Sequence, residues 1–198
     1  MNVLHASWQT IEDMCDDIHC KMIEDGYKPD CIVGLMRGGI IPARIMADRL
    51  EIWMDFYGLT AKYYDGVNQT RDTVQLDHFD HSNVKGKKVL IVDDIWDSGK
   101  TMRAVLEHLK GIDIKTATLF YKPDSEGEPD YFASEVIEDD ETEWIKFPWE
   151  NREFEREIRK QGMGSQRPLS VDEKMKKWGG ILGYDPLLSQ ADYEEAGL

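Results

Sequence analysis

The stretch from Val89 to Thr101, VLIVDDIWDSGKT, restricts the possible fold of this chain more than any other. Its apolar start predicts a buried strand over 87–94. Two carboxylates, Asp93 and Asp94, lie at the carboxyl end of that strand, and a loop of small residues then leads into a helix predicted over 99–110. A strand followed so closely by a helix is typical of a parallel sheet covered on both faces, so the sequence predicts an α/β fold.

The rest of the chain repeats this alternation of helices and strands. Apolar residues spaced three and four apart predict one helix over 7–25, and a second helix is predicted over 40–50. Further strands are predicted over 31–35, 52–64, 116–122 and 131–137. The polar segment 65–86 shows little periodicity and predicts a long loop, a feature that is usually functional. The expected architecture is a central, mostly parallel sheet flanked by helices.

The length of 198 residues fits one domain with an appendage. We expect residues 1–150 to form the core domain and residues 151–198 to form a helical C-terminal extension. Within that extension, Ser170 and Glu173 fit a capping box at the start of a helix.

Composition excludes several classes of protein. The chain carries 39 acidic and 24 basic residues, a net charge of −15, so it would repel nucleic acid and anionic membranes at long range. No apolar run approaches the roughly 18 residues of a membrane span, and the start MNVLHASWQT lacks the pattern of a signal peptide. The three cysteines are too few for a disulfide framework, and we expect buried free thiols. These features predict a cytoplasmic protein that binds neither nucleic acid nor membranes.

The loop after the strand at 87–94 has the properties of a phosphate site. It consists of Asp97, Ser98, Gly99, Lys100 and Thr101. A small-residue loop that enters a helix directs several backbone N–H groups at one point, and the helix dipole adds to their attraction for an anion. Adjacent acids would repel a phosphate unless they hold sugar hydroxyls, a Mg²⁺ ion or both. The loop, Asp93 and Asp94 together fit a ribose 5-phosphate with a metal ion nearby.

Two other interpretations are less consistent with this stretch. Gly99-Lys100-Thr101 is similar to the end of a Walker A loop, but that motif needs a glycine five residues before Gly99, where this chain has Asp94. The acids could instead form a solvated strand end. Two acids, a third acid and Ser-Gly-x-Thr directly after an apolar strand form an ordered pattern, which favours the ribose-phosphate site.

A second candidate anion site follows the strand predicted over 31–35. Arg37, Gly38 and Gly39 form a tight loop before the next helix. Two glycines allow the backbone to approach an oxyanion closely, and the arginine offers a planar pair of donors. Such a tripeptide is a weak signal alone, but its place one strand-helix unit before the first motif predicts a second anion site for the same ligand.

The stretch from Val89 to Thr101 resembles the ribose-phosphate-binding signature of the type I phosphoribosyltransferases. The resemblance implies the type I phosphoribosyltransferase fold, phosphoribosyl pyrophosphate (PRPP) as ligand, Mg²⁺ as cofactor, and transfer of ribose 5-phosphate to a base. It also implies that the segment 37–39 is a pyrophosphate loop. In this interpretation Asp94 is the metal ligand and Asp93 holds the ribose. Asp97 would then accept a proton from the imidazole ring of the base.

A third segment indicates which base is used. Five of its residues match a pattern of the microbial xanthine-guanine phosphoribosyltransferases: Trp144, Ile145, Pro148, Trp149 and Glu150. By that resemblance Trp144 stacks on a purine, as an indole face can, and the backbone of Ile145 bonds the edge of the base. Lys122 matches the lysine that contacts the 6-oxo group and would select hypoxanthine, guanine or xanthine over adenine. The alternative is that both tryptophans of the segment are core residues.

The remaining implications concern the lid, the assembly and the function. The segment 65–86 would be a lid over the site, in which Arg71 loosely matches a cation that contacts pyrophosphate. The resemblance implies purine salvage by a homo-oligomer, a dimer rather than a tetramer. Two alternatives are a pyrimidine or orotate phosphoribosyltransferase and a regulatory protein of the same fold that senses PRPP. The sequence leaves the preferred purine open.

Overall fold

The computed structural model describes residues 3–64, 73–77, 79–136 and 144–150, together with Arg156. The chain divides into two compact units, Met1–Asn151 and Arg152–Leu198. The first unit contains all the elements below, and the helical extension expected at 151–198 lies outside the described residues apart from Arg156. No helix in the described part of the chain is both long enough and apolar enough to span a bilayer.

Eight strands, three α-helices and a short 3₁₀ helix, η1, make up the described part of the first unit. In chain order they are β1 (Val3–His5), α1 (Trp8–Glu24), β2 (Cys31–Met36), α2 (Ile40–Arg49), β3 (Phe56–Tyr64), β4 (Thr73–Asp77), η1 (His81–Asn83), β5 (Lys88–Trp96), α3 (Lys100–His108), β6 (Asp113–Tyr121), β7 (Tyr131–Glu135) and β8 (Trp144–Lys146).

Six of these strands form the central sheet, in the order β4-β3-β2-β5-β6-β7. All neighbours in this sheet are parallel except β4, which pairs antiparallel with β3 at one edge. The chain runs outward from β2 to β3 on one side and from β5 to β7 on the other. The point between β2 and β5 is therefore the topological switch point, beyond whose carboxyl ends ligands bind in open α/β sheets. β1 and β8 form a separate parallel pair.

Helices cover both faces of the central sheet because its strands are apolar on both sides. In β5, Leu90 and Val92 are buried with residues of α1 and α2, whereas Val89 and Ile91 are buried with residues of α3. Successive side chains of a strand point to opposite faces, so a continuous apolar run needs a layer on each side. The predicted α/β architecture is confirmed.

Three details of the sequence-based prediction were wrong. The expected loop 65–86 contains a strand, β4, and its sequence Thr-Val-Gln-Leu-Asp shows the polar and apolar alternation that such an edge strand needs. The strand over 87–94 continues to Trp96, because Ile95 and Trp96 pair with β6. Cys20 is exposed, unlike Cys15 and Cys31, because it lies off the buried stripe of α1.

Candidate active site

Three loops that carry predicted site residues meet at one edge of the central sheet. They follow the adjacent strands β2, β5 and β6, and the carboxyl ends of parallel neighbours lie side by side. The loop after β2 contains residues 37–39, and the loop after β5 contains residues 97–99. The loop after β6 begins with Lys122. The fold therefore brings two candidate anion loops and the candidate base-binding lysine to the switch point.

The two acids of β5 are half-buried and closely coupled. The backbone N–H of Asp94 donates to Asp93 Oδ1 at 2.9 Å, and that of Ile95 donates to Asp94 Oδ1 at 3.0 Å. Burial raises the pKa of the Asp93 carboxyl well above its ordinary value, and the neighbouring charge of Asp94 raises it further. Burial also raises the pKa of Asp94, against hydrogen bonds that lower it. The site thus holds two carboxylates whose negative charges are poorly solvated.

The Arg-Gly-Gly loop packs directly on these acids. A Cβ at Gly38 would lie 1.7 Å from Asp94 Oδ2, and a Cβ at Gly39 would lie 2.6 Å from the carbonyl oxygen of Val92. Any side chain at either position would displace the end of β5. The glycines are therefore required for the contact between this loop and the acids, and the exposed Arg37 stands at the entrance of the same loop.

The loop after β5 forms a small cavity at the start of α3. The cavity has a volume of about 210 Å³ and is lined by Ile95, Trp96, Asp97, Ser98, Gly99, Thr101 and Met102. Gly99 is the N-cap residue of α3 and has a φ of 75°, in the left-handed region that favours glycine. Backbone N–H groups at this helix start have no intrahelical acceptor, so the loop can bind an anion of phosphate size.

A larger cavity of about 330 Å³ adjoins this loop. It is lined by Asp97, Ser98, Lys100, Lys122, Asp124, Ser125, Glu126 and Val136. Lys122 Nζ lies 2.5 Å from Asp97 Oδ1, so the candidate base-selecting cation and the candidate proton acceptor form an ion pair inside this cavity. The two cavities share Asp97 and Ser98, and together six residues of the predicted site line them: Asp97, Ser98, Gly99, Lys100, Thr101 and Lys122.

Sequence reasoning missed the turn after β6, which forms the second wall of the larger cavity. The backbone N–H of Glu126 donates to the carbonyl oxygen of Ser98 at 3.1 Å, and Trp96 Nε1 donates to the carbonyl oxygen of Glu126 at 3.3 Å. Arg103 of α3 also pairs with the Glu126 carboxylate. These contacts fix the loop after β5, the candidate phosphate loop at residues 97–101, against the turn. The sequence carried a signal for this turn, because Lys-Pro-Asp directly follows the apolar run of β6.

The base-binding segment is described only in part. The side chain of Trp144 and all of Arg71 lie outside the described residues. The side chain of Ile145 is buried in the core. Among the described strands β8 pairs only with β1, on one of its two edges. The predicted hydrogen bond from the Ile145 backbone to a base would be made on the other edge. Trp149 stacks on Phe147, with ring centroids 4.9 Å apart, and tilts against Trp8. Trp149 is half-buried against the core, and its side chain is also close to Asp94, where it acts to lower the pKa of that carboxyl.

The donor set beside the switch point fits Mg²⁺. No three His, Cys, Asp or Glu side chains in the described ranges form a group that could hold a metal ion alone. Mg²⁺ in phosphate-processing sites takes one or two carboxylates and completes its shell with substrate oxygens and water. Asp93 and Asp94 supply two carboxylates of that kind, and the loop residues packed against them, Gly38 and Gly39, have no side chains.

The comparisons with known proteins agree with this geometry. The family model described as phosphoribosyl transferase domain matches residues 6–153 of the chain. The chain belongs to the phosphoribosyltransferase family. The match covers the central sheet of this phosphoribosyltransferase and all three loops at its switch point.

Individual relatives give the same result. The chain is 32% identical over 155 residues to the xanthine-guanine phosphoribosyltransferase of Roseobacter denitrificans, with 74% of this chain and 84% of the relative covered. A purine phosphoribosyltransferase structure from Pyrococcus horikoshii is 33% identical, with a TM-score of 0.65 over 75% of this chain and 95% of that chain. A xanthine-guanine-hypoxanthine phosphoribosyltransferase from Helicobacter pylori shares the fold, with 23% identity and a TM-score of 0.66 over 82% of this chain and 100% of that chain.

Proposed function

We propose that this phosphoribosyltransferase transfers ribose 5-phosphate from PRPP to a 6-oxopurine, giving the nucleoside 5′-monophosphate and pyrophosphate. The observation that carries the proposal is the pair of Asp97 and Lys122, 2.5 Å apart in the cavity beside the phosphate loop. The relatives named xanthine-guanine phosphoribosyltransferase support the same substrate class. Purine salvage is the corresponding role.

The ion pair matches one edge of a 6-oxopurine. The oxygen at position 6 and the nitrogen at position 7 lie next to each other on that edge. Lys122 donates to the oxygen, and Asp97 accepts the hydrogen of a protonated nitrogen 7. Adenine presents an amino donor at position 6, which would face the lysine donor and leave it unpaired. The base would insert between two side chains that bind each other in its absence.

The residues at the switch point supply the remaining functions. The backbone of residues 98–101 holds the 5′-phosphate, and the loop at 37–39 holds the pyrophosphate. As the bond between the ribose C1′ and the pyrophosphate oxygen breaks, nitrogen 9 of the base bonds to C1′ and the proton on nitrogen 7 passes to Asp97. The reacting carbon has oxocarbenium character, so alignment of both partners and exclusion of water account for most of the catalysis.

Asp94 and Asp93 would hold the Mg²⁺ ion and the ribose hydroxyls. When bound, Mg²⁺ supplies charge neutralisation of the leaving pyrophosphate. The half-buried setting of both acids supports this assignment, because a carboxylate that is poorly solvated gains most from a cation. We also propose a homo-oligomer, a dimer rather than a tetramer, which light scattering of the purified chain would test.

Initial-rate assays with PRPP, Mg²⁺ and a panel of bases test the proposed substrate class. We expect turnover with guanine, xanthine or hypoxanthine, and a kcat/KM for adenine and orotate that is lower by about 100-fold or more, since a buried polar group left unpaired discriminates strongly. Preference for orotate would contradict the proposal and support the pyrimidine alternative.

Replacement of Lys122 by methionine should reduce the preference for 6-oxopurines over adenine. The substitution keeps the side chain as far as Cε and removes the charged donor, whose hydrogen bond is worth about 1.5–3 kcal/mol. We expect the ratio of kcat/KM for hypoxanthine to that for adenine to fall about tenfold or more. Lys110→Met, at an exposed position after α3, is the matched control. An unchanged ratio in Lys122→Met would remove the assigned role.

Replacement of Trp144 by alanine should weaken base binding far more than PRPP binding. Stacking on a base is worth roughly 1–3 kcal/mol, so the KM for the purine should rise about 5- to 150-fold. Steady-state kinetics with each substrate varied in turn measure the two effects. Equal weakening of both substrates, or loss of the folded state, would support the alternative that Trp144 is a core residue.

A further inference from the structure

Two exposed histidines on different elements point their Nε2 atoms at each other. His81 begins η1 and His108 ends α3, and their Nε2 atoms lie 2.8 Å apart. The ring centroids are 4.6 Å apart, with an angle of 71° between the ring planes. Neither side chain lines the cavities of the candidate active site.

The local structure fixes the backbones of both histidines and packs against the ring of His81. Asp80 caps η1 by accepting a hydrogen bond from the N–H of Ser82 at 2.9 Å, and the ring of Phe79 packs edge-on against that of His81. η1 leads directly into Val84 and α3 leads into Leu109, both buried in the same core cluster. The fold therefore fixes the two backbone positions that bring the imidazoles together.

We propose that His81 and His108 form a binding site for a late first-row divalent ion such as Ni²⁺ or Cu²⁺. Two metal–nitrogen bonds of about 2.0 Å that meet at a right angle place the nitrogens about 2.8 Å apart, the spacing of adjacent ligands in a tetragonal site. The observed separation equals that spacing. The two nitrogens share a hydrogen bond in this structure, so an ion would replace its proton and each ring would turn to direct a lone pair at the ion. A tetrahedral Zn²⁺ ion would need the nitrogens about 0.5 Å further apart, so Zn²⁺ should bind more weakly.

The surroundings of the pair favour a bound cation. His108 lies in the last turn of α3, where the helix dipole is negative. Each neutral imidazole offers one nitrogen lone pair, and imidazole is a ligand suited to these ions. Among the described residues no third His, Cys, Asp or Glu completes a larger group, so water would occupy the remaining positions and the ion would exchange readily. A bound ion would connect η1, which follows the edge strand β4, to α3, which begins at the phosphate loop.

Titration of the tag-free protein with Ni²⁺ tests the site. Mg²⁺ is present in large excess throughout, which reduces Ni²⁺ binding at Asp93 and Asp94, and the histidine variants identify the site that remains. We expect calorimetry to show one Ni²⁺ per chain, and the affinity to fall about tenfold or more in His81→Gln and in His108→Gln, because the second ligand binds at high effective concentration. His19→Gln, at a histidine of α1 distant in sequence, should bind like the parent.

A measurement on the unaltered chain separates loss of the site from loss of the fold. In NMR spectra the ring protons of His81 and His108 should broaden together, at the lowest Ni²⁺ concentrations that affect any histidine. Responses of the two rings at different concentrations, or parental affinity in either single variant, would overturn the proposal. So would the absence of calorimetric binding to the unaltered chain. These outcomes do not depend on the proposed enzymatic function, because PRPP and bases are absent.

Discussion

Asp94→Asn is expected to lose about 100-fold or more in kcat/KM for PRPP and to keep its fold. The variant loses the charge that would bind the metal ion, and removal of one preorganised electrostatic group at a reacting centre costs about 10²–10³ in rate. The same substitution also removes a half-buried negative charge that is poorly solvated beside Asp93. Without Mg²⁺, the melting temperature of the variant should therefore equal or exceed that of the parent.

The matched control for this variant is Asp113→Asn. Asp113 is an exposed acid at the amino end of β6, opposite Lys88 in the sheet register and at the far edge from the switch point. The Asp113→Asn substitution removes the same charge as Asp94→Asn and should leave turnover unchanged. Parental activity in Asp94→Asn would show that the metal and ribose assignments are wrong. A large loss in Asp113→Asn would show that the effect comes from net charge.

Gly99→Ala should weaken phosphate binding and destabilise the fold. A Cβ at this position would lie 1.9 Å from the carbonyl oxygen of Glu126, and the φ of 75° is unfavourable for alanine. The left-handed backbone costs about 1–2 kcal/mol. Relief of the clash requires the phosphate loop to move away from the turn after β6, at a further cost of about 1–3 kcal/mol. We expect the KM for PRPP to rise about tenfold or more.

Gly86→Ala separates the cost of the left-handed backbone from the cost of the clash with Glu126. Gly86 has the same φ of 75°, and a Cβ there would have no heavy atom within 4 Å. Urea unfolding should show a smaller loss of stability for Gly86→Ala than for Gly99→Ala, and PRPP kinetics should be unaffected by it. Equal stability losses with a parental KM for PRPP in both variants would mean that Glu126 does not hold the phosphate loop.

The sequence was most informative where one local pattern serves both fold and function. In β5 and the loop after it, the apolar run predicts the strand, the two acids predict the site and the small residues predict the start of the helix. Each residue type is needed at its own position. The same is true of Gly38 and Gly39, whose lack of side chains is required by the acids of β5. The sequence thus predicted that both loops serve one ligand, but it did not predict the packing of Gly38 on Asp94.

Contacts made through the sheet were less predictable. Sequence spacing does not reveal that the turn at 123–127 packs on Gly99, because the strand order of the sheet brings these segments together. The edge strand β4 was assigned to a loop because five residues give too short a pattern to outweigh the polar segment around it. Trp149 matched a functional motif, and no spacing reveals that it packs between Phe147 and Trp8 at the border of the core.

Phosphorus NMR of the protein mixed with PRPP, Mg²⁺ and hypoxanthine or guanine is the most direct test of the proposed transfer. We expect the pyrophosphoryl signals of PRPP to disappear while signals of free pyrophosphate and of a nucleoside 5′-monophosphate grow in equal amounts, at a rate proportional to protein concentration. PRPP signals that shift or broaden on binding but persist with every 6-oxopurine would contradict it, and would indicate instead a regulatory protein that senses PRPP.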